Sequence, residues 1–175
     1  MSETSIYICN DKIEESVCNR LISEAQSSFE PAGVYVNGSP QDGQLGRNNQ
    51  VSWGKENWVY DLITPYVNEV MKNTGWDFEL SSSEPYQVAK SKVGEYHYWH
   101  QDGVIGKNKN RKLSLSIILN DDYEGGELEV FPNIPLKEPR GSMIFFPSFQ
   151  THQVHSVTKG TRYSLVVWFS GKSWK

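Results

Sequence analysis

Ser142–Phe169 reads SMIFFPSFQTHQVHSVTKGTRYSLVVWF. Its two flanking runs, SMIFF and TRYSLVVWF, are short and rich in β-branched and aromatic residues, which suit a pleated, packed surface. Thr158-Lys159-Gly160 supplies a turn between them. The same grammar recurs upstream in WDFEL from Trp76, YQVAKS from Tyr86, EYHYWH from Glu95, KLSLSIIL from Lys112 and GELEVF from Gly126. Strands of this kind, broken by Gly, Pro, Asn or Asp, predict an antiparallel sandwich or barrel over about residues 76–170.

Outward toward the N-terminus the pattern turns helical. Asn10 or Asp11 is placed to cap a helix through Val17, Leu21, Ile22 and Ala25, which recur at helical spacing. A second helix is expected from Lys55 to Asn73, with Trp58, Leu62, Val67, Val70 and Met71 on its apolar side and Gly75 just past its end. Between them, residues 31–54 (PAGVYVNGSPQDGQLGRNNQVSWG) read as short extended pieces joined by turns. The expected architecture is mainly β with N-terminal helices, one domain over residues 1–175, with helical support at about 10–75 and no C-terminal accessory domain. Hydrophobic and charged contents of 37% and 22% fit a globular chain, and the net charge of -4 weighs against a nucleic-acid partner. No signal peptide or apolar span is visible, and Cys9 and Cys18 are not spaced for zinc or a disulfide framework. A cytoplasmic protein without membrane association is expected.

His100-Gln101-Asp102 closes the strand EYHYWH. Residues two apart in a strand share a face, so an imidazole and a carboxylate converge on one metal ion. His152, fifty positions on, is the candidate third ligand. Two histidines and one carboxylate leave three positions of an octahedral ion open, an arrangement suited to Fe(II) oxygenases. His-x-Asp taken alone also fits a turn with a solvated carboxylate. Arg162 follows His152 by ten positions across the predicted turn, with Ser164 on the same strand face. A guanidinium there can grip a carboxylate through two parallel hydrogen bonds, although the same two residues also suit the wet face of an edge strand. In LSLSIIL the leucines make one face and Ser114, Ser116 and Ile118 the other. The serine face fits either a cavity or solvent.

Together VGEYHYWHQD, LSIILNDDYEGGELEVF and FFPSFQTHQVHSVTKGTRYSLVVW resemble the prolyl 4-hydroxylase-like branch of the 2-oxoglutarate/Fe(II) oxygenases. The resemblance covers roughly Glu79 to Phe169 and implies a double-stranded β-helix, a distorted jelly roll. It also implies oxidative decarboxylation of 2-oxoglutarate coupled to C–H hydroxylation, with O2 as oxidant and ascorbate as a candidate stimulant. On it the metal ligands and catalytic residues are His100, Asp102 and His152. His152 is preferred over His155 because Val154 and Arg162 then stand in the family's register. Arg162 and Ser164 bind the distal carboxylate of 2-oxoglutarate, and Trp168 matches an aromatic position near the co-substrate, as well as being a candidate core residue. Relatives often carry a tyrosine where Ser91 stands and an aromatic where His97 stands. Tyr96 and Tyr98 share the strand face of His100 and are the substitutes expected for binding 2-oxoglutarate.

A protein or peptide prolyl residue is the substrate implied, with a small metabolite as the alternative. Monomer and dimer are both left open. The segments Gly33–Gly54 and Gly103–Lys112 are candidates for substrate capture, or are ordinary surface loops, and Lys107, Lys109, Arg111 and Lys112 make one basic loop. A non-catalytic cupin-like binder would show more histidines and no arginine at this spacing. A nucleobase demethylase would show a second arginine and a basic nucleic-acid groove, neither of which is evident.

Overall fold

The computed structural model describes residues 5–36, 39–41, 46–103 and 108–172. In chain order its elements are β1 (Tyr7–Cys9), α1 (Glu15–Ala25), β2 (Glu30–Pro31), β3 (Val34–Val36), β4 (Ser39–Gln41), β5 (Gln50–Gly54) and α2 (Asn57–Thr74). There follow β6 (Leu80–Ser83), β7 (Tyr86–Lys92), β8 (His97–His100), β9 (Arg111–Ile118), β10 (Glu124–Gly125) and β11 (Leu128–Val130). The last four are β12 (Met143–Pro147), β13 (His152–Val154), β14 (Val157–Lys159) and β15 (Thr161–Gly171). A major antiparallel sheet runs β1-β12-β9-β15-β7-β5-β2, with β6 added to β15. A smaller sheet runs β11-β13-β8, and β10 pairs with β14. This is the distorted jelly roll with N-terminal helices that the strand pattern and resemblance lead one to expect.

Strand alternation decides what each face of the major sheet meets. Leu113, Leu115 and Ile117 of β9, Leu165, Val167 and Phe169 of β15, and Val88 of β7 join one core with Leu21 of α1 and Val59 and Ile63 of α2. Each fully buried leucine or isoleucine of that layer contributes about 1.5–3 kcal/mol by leaving water. The opposite face of the same strands looks inward, toward the smaller sheet. It carries Ser116, Arg162, Ser164, Gln87 and Ser91 around a cavity. The serine face of β9 therefore lies indoors, because the sheet is covered on both sides.

Several boundaries differ from the sequence expectation. Asn10 and Asp11 do not cap α1: they form a turn, with Asp11 at φ 53, and the helix begins at Glu15. Asp tolerates the left-handed region better than most residues, and the turn lets β1 pair with β12 instead. In α2, Val67 and Val70 are buried and Trp58, Leu62 and Met71 pack partly covered against the same core, as expected, while Val59 and Ile63, not foreseen, are fully buried. Gly75 ends the helix in the left-handed conformation at φ 70, as its position suggests. WDFEL gives way to LSSS as the strand, Trp76 and Phe78 instead stacking at 6.2 Å.

The supposed basic loop is also corrected. Arg111 and Lys112 belong to β9 and are buried, and Arg111 grips Glu84 with two bonds of 2.8 and 2.6 Å. Lys107 lies outside the described residues, as do parts of both candidate capture segments and the first four residues of the N-terminal reading. No described helix is long and apolar enough to cross a membrane.

Candidate functional site

β13 is sandwiched between β11 and β8, and its register sets His152 directly opposite His100. Asp102 follows β8 and is pinned by its own N–H and that of Gly103, both donating to Ser148 O, at 3.0 and 2.9 Å. A side chain at Gly103 would run into Arg111 O and Ser148 Cβ, at 2.6 and 2.7 Å, so the chain can pass here only without one. One ligand atom from each of His100, Asp102 and His152 then lies within 4.8 Å of the others.

The surroundings prepare those atoms for a cation. His100 Nδ1 meets Tyr98 O at 2.7 Å and His152 Nδ1 meets Gln150 O at 2.9 Å. Each ring is thereby oriented by a backbone carbonyl two residues upstream, with Nε2 left to face Asp102 at 3.5 Å. Ser114 Oγ donates to Asp102 Oδ2 at 2.8 Å and contacts Ser148 Oγ at 2.9 Å. Burial alone would raise the Asp102 carboxyl, but the facing His152 and His100 outweigh it and hold it well below the ordinary carboxylate range. Burial drives His152 down to about 4, against the pull of Asp102. An ionised carboxylate beside a neutral His152 imidazole is the protonation state that ligation of a divalent metal requires.

A second feature faces the same cavity. Arg162 is 2% exposed, donates from NH1 to Ser164 Oγ at 2.9 Å, and leaves its buried Nε without a hydrogen-bond partner among the described residues. None of the ion pairs among those residues involves it. A buried, unpaired guanidinium is costly unless a ligand carboxylate completes it. Trp168 lines the cavity too, its ring covered by Arg111 at 4.0 Å and its indole N–H among the groups that help hold Asp102 low. The donor set and this orphaned cation fit a divalent metal and a dicarboxylate side by side.

Tyr96 and Tyr98 do not reach the cavity. Tyr98 is 54% exposed and its ring lies 4.3 Å from that of Tyr96. The reason is a bulge: His152 pairs with His100 and Val154 with His97, two steps on β13 against three on β8. The extra residue turns His97 inward, where its ring stacks on His100 at 3.6 Å, and carries Tyr98 away. Burial, then His100, pushes His97 well below its usual range. His155 lies outside the cavity lining, paired with Glu129 at 2.6 Å. Three polar lining residues escaped the sequence reading altogether: Arg47, Asn49 and Gln87. Arg47 is the second arginine that the motifs do not reveal. Its sole sequence signal is a lone cation in the polar run Gly46-Arg-Asn-Asn-Gln50.

Comparison with known proteins agrees with this geometry. The family model described as the 2OG-Fe(II) oxygenase superfamily matches residues 86–170, from the start of β7 almost to the end of β15. A PKHD-type hydroxylase from Synechococcus sp. is 35% identical over 142 residues, 73% of this chain and 64% of the relative, so the chain spans just under two thirds of that protein. The viral collagen prolyl hydroxylase of Paramecium Bursaria Chlorella virus-1, solved as its 2OG complex, superposes with a TM-score of 0.75 at 22% identity over 97% of both chains. A Trichoplax adhaerens prolyl hydroxylase, solved with a hypoxia inducible factor peptide fragment, gives 0.77 at 16% identity, covering 95% of this chain and 83% of that one. These two structures share the fold. Sequence match, fold and clustered His-Asp-His side chains agree: residues 86–170 are similar to the 2OG-Fe(II) oxygenase superfamily, and the chain shares the fold of the prolyl hydroxylases.

Proposed function

We propose that the protein is a 2-oxoglutarate-dependent dioxygenase that hydroxylates an unactivated C–H bond of a prolyl residue in a protein or peptide. The observation that carries this reading is the convergence, in one cavity, of His100, Asp102 and His152 with a buried arginine that has no carboxylate partner. In this reading Fe(II) is held by His100 and His152 through Nε2 and by the Asp102 carboxylate. When bound there with 2-oxoglutarate and O2, it supplies the oxidising chemistry that yields succinate, CO2 and a hydroxylated product.

The chain's own residues position and protect that chemistry. Arg162 and Ser164 bind the distal carboxylate of 2-oxoglutarate, which fixes the co-substrate's other end at the metal. Ser114 keeps the Asp102 carboxylate turned toward the two histidines. Leu128, Phe146, Val154 and Val166 give the cavity an apolar wall that excludes water. Trp168 borders the reacting space.

A prolyl peptide is favoured by the likeness in fold to prolyl hydroxylases, one of them solved with a peptide. The reading takes the protein to be cytoplasmic, consistent with two free, buried cysteines, and takes ascorbate as a stimulant of turnover. A cupin-like binder is disfavoured by Arg162, which such a domain gives no ligand to neutralise.

The test is succinate release from 2-oxoglutarate by purified protein under air, with and without Fe(II). Iron-dependent release, increased by proline-containing peptides, is expected. Neither turnover nor iron-dependent 2-oxoglutarate binding by calorimetry would sink the proposal.

A further inference from the structure

Arg47 stands just before β5, in a region that the motifs do not reach. An isolated bridge joins it to His97 and so brings it beside the metal-binding cluster. Its Nε donates to Asn49 Oδ1 at 3.0 Å and its NH2 to Gln87 Oε1 at 3.3 Å. Asn49 in turn donates to Ser91 Oγ at 3.3 Å. Both acceptors on the guanidinium are neutral amides, Gln87 on β7 and Asn49 just before β5. They hold the fork still without neutralising it.

No carboxylate among the described residues lies within ion-pair distance of Arg47. Asp102 is the one carboxylate whose field supports it, and Asp102 is already engaged by His100, His152 and Ser114. Burial therefore dominates and pulls Arg47 down to about 10. Half-buried and without a carboxylate of its own, such a cation gains from a ligand that supplies one. A guanidinium has five N–H donors, and Asn49 and Gln87 take two.

The co-substrate leaves these donors over. On the reading of the site given above, one carboxylate of 2-oxoglutarate is taken by Arg162 and Ser164 and the other lies at the metal. Arg47 faces the same cavity from a different strand edge, and it remains partly open to solvent whereas Arg162 is closed off. A group that meets it enters with the substrate.

We propose that Arg47 binds a carboxylate of the hydroxylated substrate and makes the enzyme selective for substrates that carry one next to the reactive residue. The chemistry is a planar fork-to-carboxylate contact. The carboxylate comes either from an acidic side chain flanking the target residue or from the target's own free C-terminus. This deepens the prolyl hydroxylase reading and rests on it.

The experiment uses full-length protein loaded with Mn(II) and 2-oxoglutarate, without turnover, and measures binding by calorimetry. Two probe sets separate the sources: acetylated Xaa-Pro-Yaa amides with Glu or Asp against Gln or Asn on either side of proline, and N-acetylproline against N-acetylprolinamide. At least one acid should bind about tenfold or more tighter than its amide. Arg47→Gln should abolish that preference, and Arg47→Lys, which keeps the charge but not the fork, should retain part of it. Equal affinities, no binding by any probe, or a preference that survives in Arg47→Gln would overturn the inference. Metal-dependent binding of 2-oxoglutarate to the wild type, measured first, distinguishes the two failures. If it is lacking, the oxygenase reading falls. If it is present and acids bind like amides, only the role of Arg47 falls.

Discussion

Ser114→Ala isolates what holds the metal-binding carboxylate in place. Ser114 is fully buried in β9, donates to Asp102 Oδ2 at 2.8 Å and contacts Ser148 Oγ at 2.9 Å. Alanine retains the Cβ and removes one oxygen, so the leucine face of β9 and the helix layer behind it are untouched. The loss falls on Asp102. A hydrogen bond to a charged group contributes about 1.5–3 kcal/mol, and losing an outer partner of a metal ligand typically weakens metal binding by about 10–100-fold. Ser114 serves Asp102 in the metal-free protein as well, so only the difference between the two states is felt. That places the expected loss near the lower end, at about tenfold, or about 1.4 kcal/mol. The assay is calorimetric titration with Mn(II), beside Ser116→Ala, which lines the cavity without bonding Asp102. Refutation would be a cooperatively folded Ser114→Ala protein that binds Mn(II) as the wild type does, or an equal loss in Ser116→Ala.

Other substitutions and conditions probe the rest of the site. Arg162→Met should reduce Mn(II)-dependent 2-oxoglutarate affinity by about a hundredfold, since at least two charge-assisted hydrogen bonds go. Its melting temperature should hold or rise, because the residue removed is an unpaired buried charge; unchanged co-substrate affinity would contradict the assignment. The metal-free fold should weaken in mild acid. His152 is held at about 4 in the fold against 6.5 for an unperturbed histidine, so between those values the unfolded chain takes up a proton that the folded chain refuses. The stability is whole above about pH 6.5 and falls as the pH drops toward 4, by an amount on the order of 3 kcal/mol. Urea unfolding at several pH values should show this slope in the wild type and a shallower one in His152→Gln; parallel slopes would remove His152 as the cause. Arg47→Gln should erase a preference for acidic probes, as set out above.

Much of this was legible because it is local. Alternation in LSLSIIL defines two faces, His100 and Asp102 fall two apart at a strand end, and Gly75 marks the end of α2, all from short-range geometry. The jelly roll follows from the number and spacing of such strands, helped by the resemblance of three long segments to one family. Where the reading went wrong, a distant partner had decided the matter. Asn10-Asp11 has the chemistry of a cap and of a turn, and pairing of β1 with β12 selects the turn. Arg111 and Lys112 have the composition of a solvated loop, yet Glu84 and the ladder to β15 draw them into a strand.

By itself, then, the sequence determined which side chains can ligate a metal, their order along the chain and the strands that carry them. Tertiary structure alone decided which of them meet. A period of two separates the faces of β9 without saying what covers each, and only the smaller sheet makes the serine side an interior one. Tyr98 and His97 exchange places because β8 inserts one residue against β13, and the choice of that register lies in the pairing. Arg47 comes to the cavity through a bridge to His97, fifty residues away in sequence, and through Gln87 of β7. No local pattern encodes such contacts, because the energy that makes them is released only when the sheets close over one another.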